Sequence, residues 1–200
     1  MAVVGQDTGD RLRAIAAHLF ATRGFGATSM RHIANEGGVT AGAIYNHFAS
    51  KEAILNDIAR GFHAQLHDRL RAEAAACKRS GETSGATLDR LVRELGRTVV
   101  ERPAVCRASE GELVHLAPRH RAEVQEIRQA ILELLDQALV AAVERGERTL
   151  PPSAADAPRR VVTSIVNMLT GLSEARPEEL EDGELLVEMH VDLVRRITGR

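Results

Sequence analysis

The sequence predicts an all-α fold of about nine helices, and three observations carry that prediction. Ala, Leu, Arg and Glu are frequent, prolines number six, and 44% of the 200 residues are hydrophobic. Such a chain is rich in helix formers and long enough to bury one or two compact cores. Apolar residues recur at three- and four-residue spacing, whereas the period-two alternation of a strand is scarce. Breaks fall where glycine or proline gathers: GFG at 24–26, GG at 37–38, GETSG at 81–85, GERTLPPS at 146–153 and ARPEELEDG at 175–183.

A first helix over 7–23 places Leu12, Ile15, Ala16, Leu19 and Phe20 on one stripe, and Gly24 ends it. Phe25 is expected to pack back onto a small three-helix core. GFG lacks the Lys-Ser/Thr of a phosphate loop and reads as a helix stop. Thr28 is expected to cap a second helix with Met30, Ile33 and Ala34 on its apolar face. Gly37-Gly38 stops that helix, because glycine adopts a positive φ at little cost. Thr40 caps a third helix, with Val39 and Ile44 at the spacing of a hydrophobic staple.

Ser50 caps a long fourth helix carrying Ile54, Leu55, Ile58, Phe62 and Leu66 on one side. A fifth has Leu88, Leu91, Val92, Leu95 and Val99, and Pro103 and Pro118 sit where helices start. The helix from Pro118 runs to about 145 and is apolar over a wide arc, so it is expected at the centre of its domain. An eighth helix is expected over about 154–173 and a ninth over about 183–198. The ninth is apolar on two sides: Leu185, Leu186, Met189 and Leu193 make one stripe, and Val187, Val191 and Val194 fall nearly opposite. A terminal surface helix needs one buried face, so the second suggests a partner.

The stretch 28–51, two short helices about a glycine turn with a third helix starting at its end, is a helix-turn-helix whose second helix has the width of the DNA major groove. IANEGGVTAGAIYNHFASKEAIL closely resembles the DNA-binding segment of the TetR family of bacterial transcriptional regulators. The matching residues are Thr28, Ile33-Ala34, Gly38-Val39, Gly42, Ile44-Tyr45, His47-Phe48 and Lys51-Glu52. The resemblance covers about the first third of the chain. Gly37 departs from it, since alanine is commoner there, and is expected to loosen the turn. The resemblance implies a DNA-binding domain over 1–50 and a helical ligand-binding and dimerisation domain over 51–200. It also implies a homodimer whose last two helices pair across a two-fold axis, here through Ile165, Leu169, Leu172, Val187, Val191 and Val194.

A helix seated in the major groove needs small residues where its backbone meets base edges, and Thr40, Ala41, Gly42 and Ala43 meet that need. Thr40 can bond a base edge or a phosphate, and Ala41 or Ala43 can touch a thymine methyl. Gly42 costs about 1 kcal/mol in a helix interior relative to alanine, which points to a packing or contact reason. By resemblance Tyr45, Lys51 and Thr28 hold phosphates, with Ser29 and Arg31 beside the backbone. Asn46 either reads adenine or meets backbone and solvent. His47 is a phosphate contact or packing residue rather than a titrating switch, and His32 has no assigned role. Two such heads would read a palindromic operator with half-sites about 34 Å or a multiple apart.

Net charge is −2, so the chain is no general nucleic-acid coat. Over 11–51, however, Arg11, Arg13, Arg23, Arg31 and Lys51 stand against Glu36 alone, a local positive footprint. The opening MAVVGQDTGD lacks the basic segment and apolar core of a signal peptide, and no apolar run has spanning length. A cytoplasmic protein away from the membrane is expected, with Cys77 and Cys106 as reduced thiols.

All five aromatics lie at or before Phe62. A later pocket cannot be an aromatic cage and suits an aliphatic or alicyclic effector. Arg102, Arg107, Arg119, Arg121 and Arg128 are read either as forks for an acyl-CoA or carboxylated lipid or sterol effector, or as solvated surface. His63 and His67 have helical spacing but no third ligand, so neither metal nor cofactor is expected. With no catalytic constellation, the reading is a ligand-released repressor rather than an enzyme. The alternative is a DNA-binding regulator without a small-molecule effector, controlled by abundance or a protein partner.

Overall fold

A computed structural model describes residues 3–154, 157–175 and 177–199, and every regular element among them is helical. In chain order these are α1 (Val3–Arg23), α2 (Met30–Glu36), α3 (Ala41–Ile44), α4 (Lys51–Ser80), α5 (Ser84–Glu101), α6 (Pro103–Gly111), α7 (Pro118–Glu144), α8 (Pro158–Thr170) and α9 (Gly183–Ile197). Short 3-10 turns cover Leu113–His115, Pro152–Ala154, Gly171–Glu174 and Pro177–Glu179. The local signals act as the sequence predicts at several points. Ser50 Oγ accepts the Ala53 amide at 3.0 Å, and prolines 103 and 118 open α6 and α7. The eighth helix differs: α8 opens at Pro158, a favoured first position, and its last turn tightens into 3-10. Residues 155 and 156 of the predicted span lie outside the described residues.

The chain builds two compact units. The first joins Met1–His63 to Ala104–Gln125. Its core draws Leu12, Ala16, Leu19 and Phe20 from α1, Ile33 and Ala34 from α2, Ile44 from α3, then Phe48, with Ile54, Leu55 and Ile58 from α4. Ala108, Leu113, Leu116 and Val124 complete the same cluster. Each fully buried large side chain contributes about 1.5–3 kcal/mol, and helices as short as α2 and α3 depend on that burial. Polar ties reinforce it. Phe25 donates its amide to Glu112 Oε1 at 3.2 Å, and Glu52 Oε1 accepts from the Ala117 amide at 3.1 Å and pairs with His120 Nδ1 at 2.8 Å. Buried His63 pairs with Glu110 at 3.0 Å.

The second unit comprises Ala64–Pro103 and Glu126–Arg200. Its α5 buries Leu88, Leu91, Val92, Leu95 and Val99, and α9 packs on it through Val187, Val191 and Val194. The helices approach closely because Gly96 has no side chain: a Cβ there would stand 3.2 Å from both Val187 methyls. Arg93 grips Glu188 with two nitrogens, and Arg97 binds Glu184 at 2.8 and 2.9 Å. Asp89 bridges Arg148 and Arg195, at 2.8 Å each.

This packing corrects the choice of dimer residues. Ile165, Leu169, Leu172, Val187, Val191 and Val194 are buried within the chain itself, because the β-branched face of α9 fits the groove that Gly96 opens. The stripe left outside is Leu185, Met189, Leu193 and Ile197, between 42% and 58% exposed.

Candidate nucleic-acid interface

The site is built on the α2–turn–α3 segment of the first unit. Ser29, not Thr28, caps α2: its Oγ accepts the His32 amide at 3.2 Å, and His32 Nδ1 accepts the Ser29 amide at 3.3 Å. This is a capping box with histidine in the place usually held by Glu or Gln. His32 thereby gains the role that the sequence left unassigned. The turn after α2 divides its two glycines between two tasks. Gly38 alone has a positive φ, +64°, and makes the left-handed stop. Gly37 has φ −76°, and a Cβ on it would stand 2.6 Å from Leu12 Cδ2. It admits α1 rather than loosening the turn.

Thr40 caps α3, with its Oγ1 accepting the Ala43 amide at 3.1 Å. That bond uses an oxygen lone pair, so the hydroxyl hydrogen can still be donated. The α-helix proper ends at Ile44, and the chain continues at three residues per turn. The Tyr45, Asn46 and His47 amides donate to the Gly42, Ala43 and Ile44 carbonyls at 3.2, 3.1 and 3.0 Å. Ile44 and Phe48 anchor this piece in the core. Ser29, Arg31, Thr40, Ala41, Gly42, Tyr45, Asn46 and His47 are all exposed, and Ala43 is half-buried. Tyr45, the chain's one tyrosine, is 57% exposed despite its large ring. A Cβ on Gly42 would meet no described atom within 4 Å, so internal packing does not demand glycine there. A close approach from outside the chain is the remaining reason.

Two expected phosphate contacts turn inward. Thr28 is 2% exposed, and its hydroxyl donates to the Gly24 carbonyl at 2.9 Å, closing the end of α1. It is therefore withdrawn from the contact set. Lys51 Nζ donates to the Phe25 carbonyl at 2.5 Å and the Thr28 carbonyl at 2.7 Å, and sits 4.1 Å from the Phe25 ring centroid. Burial pushes the Lys51 ammonium below its usual range, and Glu112 opposes that shift.

The five arginines read as possible effector ligands do not form one set. Arg102 and Arg128 belong to the second unit and Arg107, Arg119 and Arg121 to the first. Arg121 is committed to the backbone, donating to the Leu113, Val114 and Leu116 carbonyls at 3.1, 2.7 and 3.0 Å. Arg102 donates to Gln65 Oε1 at 2.5 Å, and exposed Arg119 to His120 Nε2 at 3.1 Å. Arg121 is removed from the ligand set, because its fork already satisfies carbonyls that the 3-10 turn leaves open. Among the described residues no group of three metal-ligating side chains occurs, and no helix is long and apolar enough to cross a membrane.

Comparison with known proteins agrees with this geometry. Residues 12–58 match the family described as bacterial regulatory proteins, tetR family. The HTH-type transcriptional repressor KstR2 of Rhodococcus jostii is 35% identical over 133 residues, covering 66% of this chain and 63% of that protein. KstR2 of Mycobacterium tuberculosis is 44% identical over 71 residues, 34% of this chain and 36% of the relative. The matches therefore span less than two thirds of these relatives' lengths. A tetR-family regulatory protein from Rhodococcus RHA1 shares the fold at TM-score 0.84, with 23% identity over 96% of this chain and 97% of that one. The ketosteroid transcriptional regulator KstR2 of M. tuberculosis does so at 0.83, with 24% identity over 98% and 97%. The family model falls on the segment that presents Thr40 to His47. The chain belongs to the tetR family of bacterial regulatory proteins.

Proposed function

We propose that this protein is a DNA-binding transcriptional repressor that acts as a homodimer on a palindromic operator and is released by a small aliphatic or acyl-type effector. The observation that carries the reading is the outward surface from Thr40 to His47, capped by Thr40 and anchored behind by Ile44 and Phe48. Thr40, Ala41, Gly42 and Ala43 would meet base edges, while Ser29, Arg31, Tyr45 and His47 would hold the backbone. Asn46 stands exposed beside them, placed for an adenine or for the backbone. The division of labour is residues 1–50 for DNA and 51–200 for ligand and dimerisation, in a cytoplasmic protein without an enzymatic step.

The relatives' names, a repressor and a ketosteroid regulator, support an alicyclic, sterol-derived effector with a carboxyl or CoA group. The second unit fits it, since residues 64–200 contain no Phe, Tyr or Trp and bury Leu, Val and Ile. For the dimer, the exposed stripe Leu185, Met189, Leu193 and Ile197 supplies a self-complementary apolar face.

Selection of host genomic fragments by the purified protein, with footprinting of those retained, tests the reading. A protected palindrome that is released by a steroid-derived acyl-CoA supports all of it. A palindrome that no small molecule releases favours the effector-free regulator, and uniform salt-sensitive binding overturns specificity. Sedimentation tests the dimer: Met189→Glu with Leu193→Glu should give a monomer.

A further inference from the structure

Lys51 begins α4, where resemblance would make it a phosphate ligand, yet its ammonium is directed into the protein. An ammonium has three N–H donors. Two end on the carbonyls of Phe25 and Thr28, at 2.5 and 2.7 Å, and the Phe25 ring face lies 4.1 Å away on another side. Those carbonyls belong to the loop joining α1 to α2. Thr28 is the residue immediately before Ser29, whose capping box starts α2.

The loop is gripped from a second direction. Glu112 Oε1 accepts the Phe25 amide at 3.2 Å, the His115 ring stacks on Phe25 at 4.8 Å and 17°, and Glu112 pairs with His115 at 3.3 Å. We propose that Lys51 is a positioning residue that clamps the α1–α2 loop, and through it the start of α2, instead of holding a phosphate. The placement of Ser29, Arg31 and the α3 surface would then depend on this internal clamp and on the 3-10 turn Leu113–His115. The proposal rests on the DNA-binding reading above.

The test measures operator affinity across a salt series for wild type, Lys51→Gln, Lys51→Arg and Arg31→Gln, with amide hydrogen exchange of residues 24–29. Each lost phosphate contact lowers the slope of log affinity against log salt by about 0.9. Arg31→Gln should show that drop. Lys51→Gln should weaken binding about tenfold or more with the wild-type slope retained, and the Phe25, Thr28 and Ser29 amides should exchange faster. Lys51→Arg should not restore affinity, because a planar fork cannot replace a point donor between two carbonyls, whereas it serves a phosphate well.

A slope lowered by about 0.9 in Lys51→Gln, or full rescue by arginine, overturns the clamp. Should Lys51→Gln fail to fold, Lys51→Arg carries the test alone. If wild type selects no site, the DNA-binding reading falls, and the exchange measurement still decides the clamp: faster exchange supports it and unchanged exchange refutes it.

Discussion

Replacing Asp89 with alanine should be among the most damaging single changes in the second unit. Its carboxylate is 10% exposed and holds Arg148 Nη2 at 2.8 Å and Arg195 Nε at 2.8 Å. The two arginines differ in what they lose. Arg148 is 6% exposed, its Nε already lacks a partner, and only the Gly85 and Glu147 carbonyls remain, at 3.4 and 3.3 Å. Leaving that charge buried without its carboxylate costs about 3–5 kcal/mol. Arg195 is 37% exposed and keeps Asp192 at 2.9 Å, so its loss adds less than about 1 kcal/mol.

For a chain of this length each kcal/mol moves the melting temperature by about 2–4 °C, so Asp89→Ala should lower it by roughly 6–20 °C. Circular dichroism melts at fixed protein concentration provide the assay, since oligomerisation would make the midpoint depend on concentration. The double change Asp89→Leu with Arg148→Met removes both buried charges together and should recover most of the loss. A single-mutant shift under about 2 °C, or a double mutant no more stable than the single, would refute the reasoning.

Three further outcomes are expected. Tyr45→Ala should weaken binding to all DNA alike and reduce the salt slope by about 0.9, whereas Thr40→Ala should alter sequence preference with little change in slope; equal effects on both would reject these roles. Gly38→Ala places a Cβ at φ +64° and should cost about 1–2 kcal/mol in chemical denaturation, a result that a wild-type midpoint would contradict. Glu52 is held below its usual value of 4.5, chiefly by its bond to His120 and also by the Ala117 amide. A depressed carboxylate pKa gives stability that is present above 4.5 and lost as pH falls below it. Glu52→Gln should therefore flatten the acid limb of the stability profile of the intact protein, and an unchanged limb would assign it to other carboxylates.

Much of the site was legible because its signals are local. The caps of Thr40 and Ser50, the helix starts at Pro103 and Pro118, and the stop at Gly37-Gly38 each act within a few residues of chain. His32 was legible in principle: Ser29 stands three residues before it, the spacing of a capping box, but histidine replaces the usual carboxylate or amide. The two tasks of Gly37 and Gly38 were not separable, since only the contact with Leu12 distinguishes them.

By itself, then, the sequence determined an all-α chain, the place of its helix-turn-helix and which small and polar residues that motif presents. Those properties follow from propensity, caps and hydrophobic spacing, all short-range along the chain. Tertiary structure alone decided which stripe of α9 faces inward, because both stripes are apolar and only Gly96 of α5 makes a groove for the valines. It also decided that Thr28 and Lys51 turn inward and that residues 104–125 share a core with the head. The partners involved lie far apart in sequence, 87 residues in the case of Phe25 and Glu112, and no local pattern encodes a contact made across that distance.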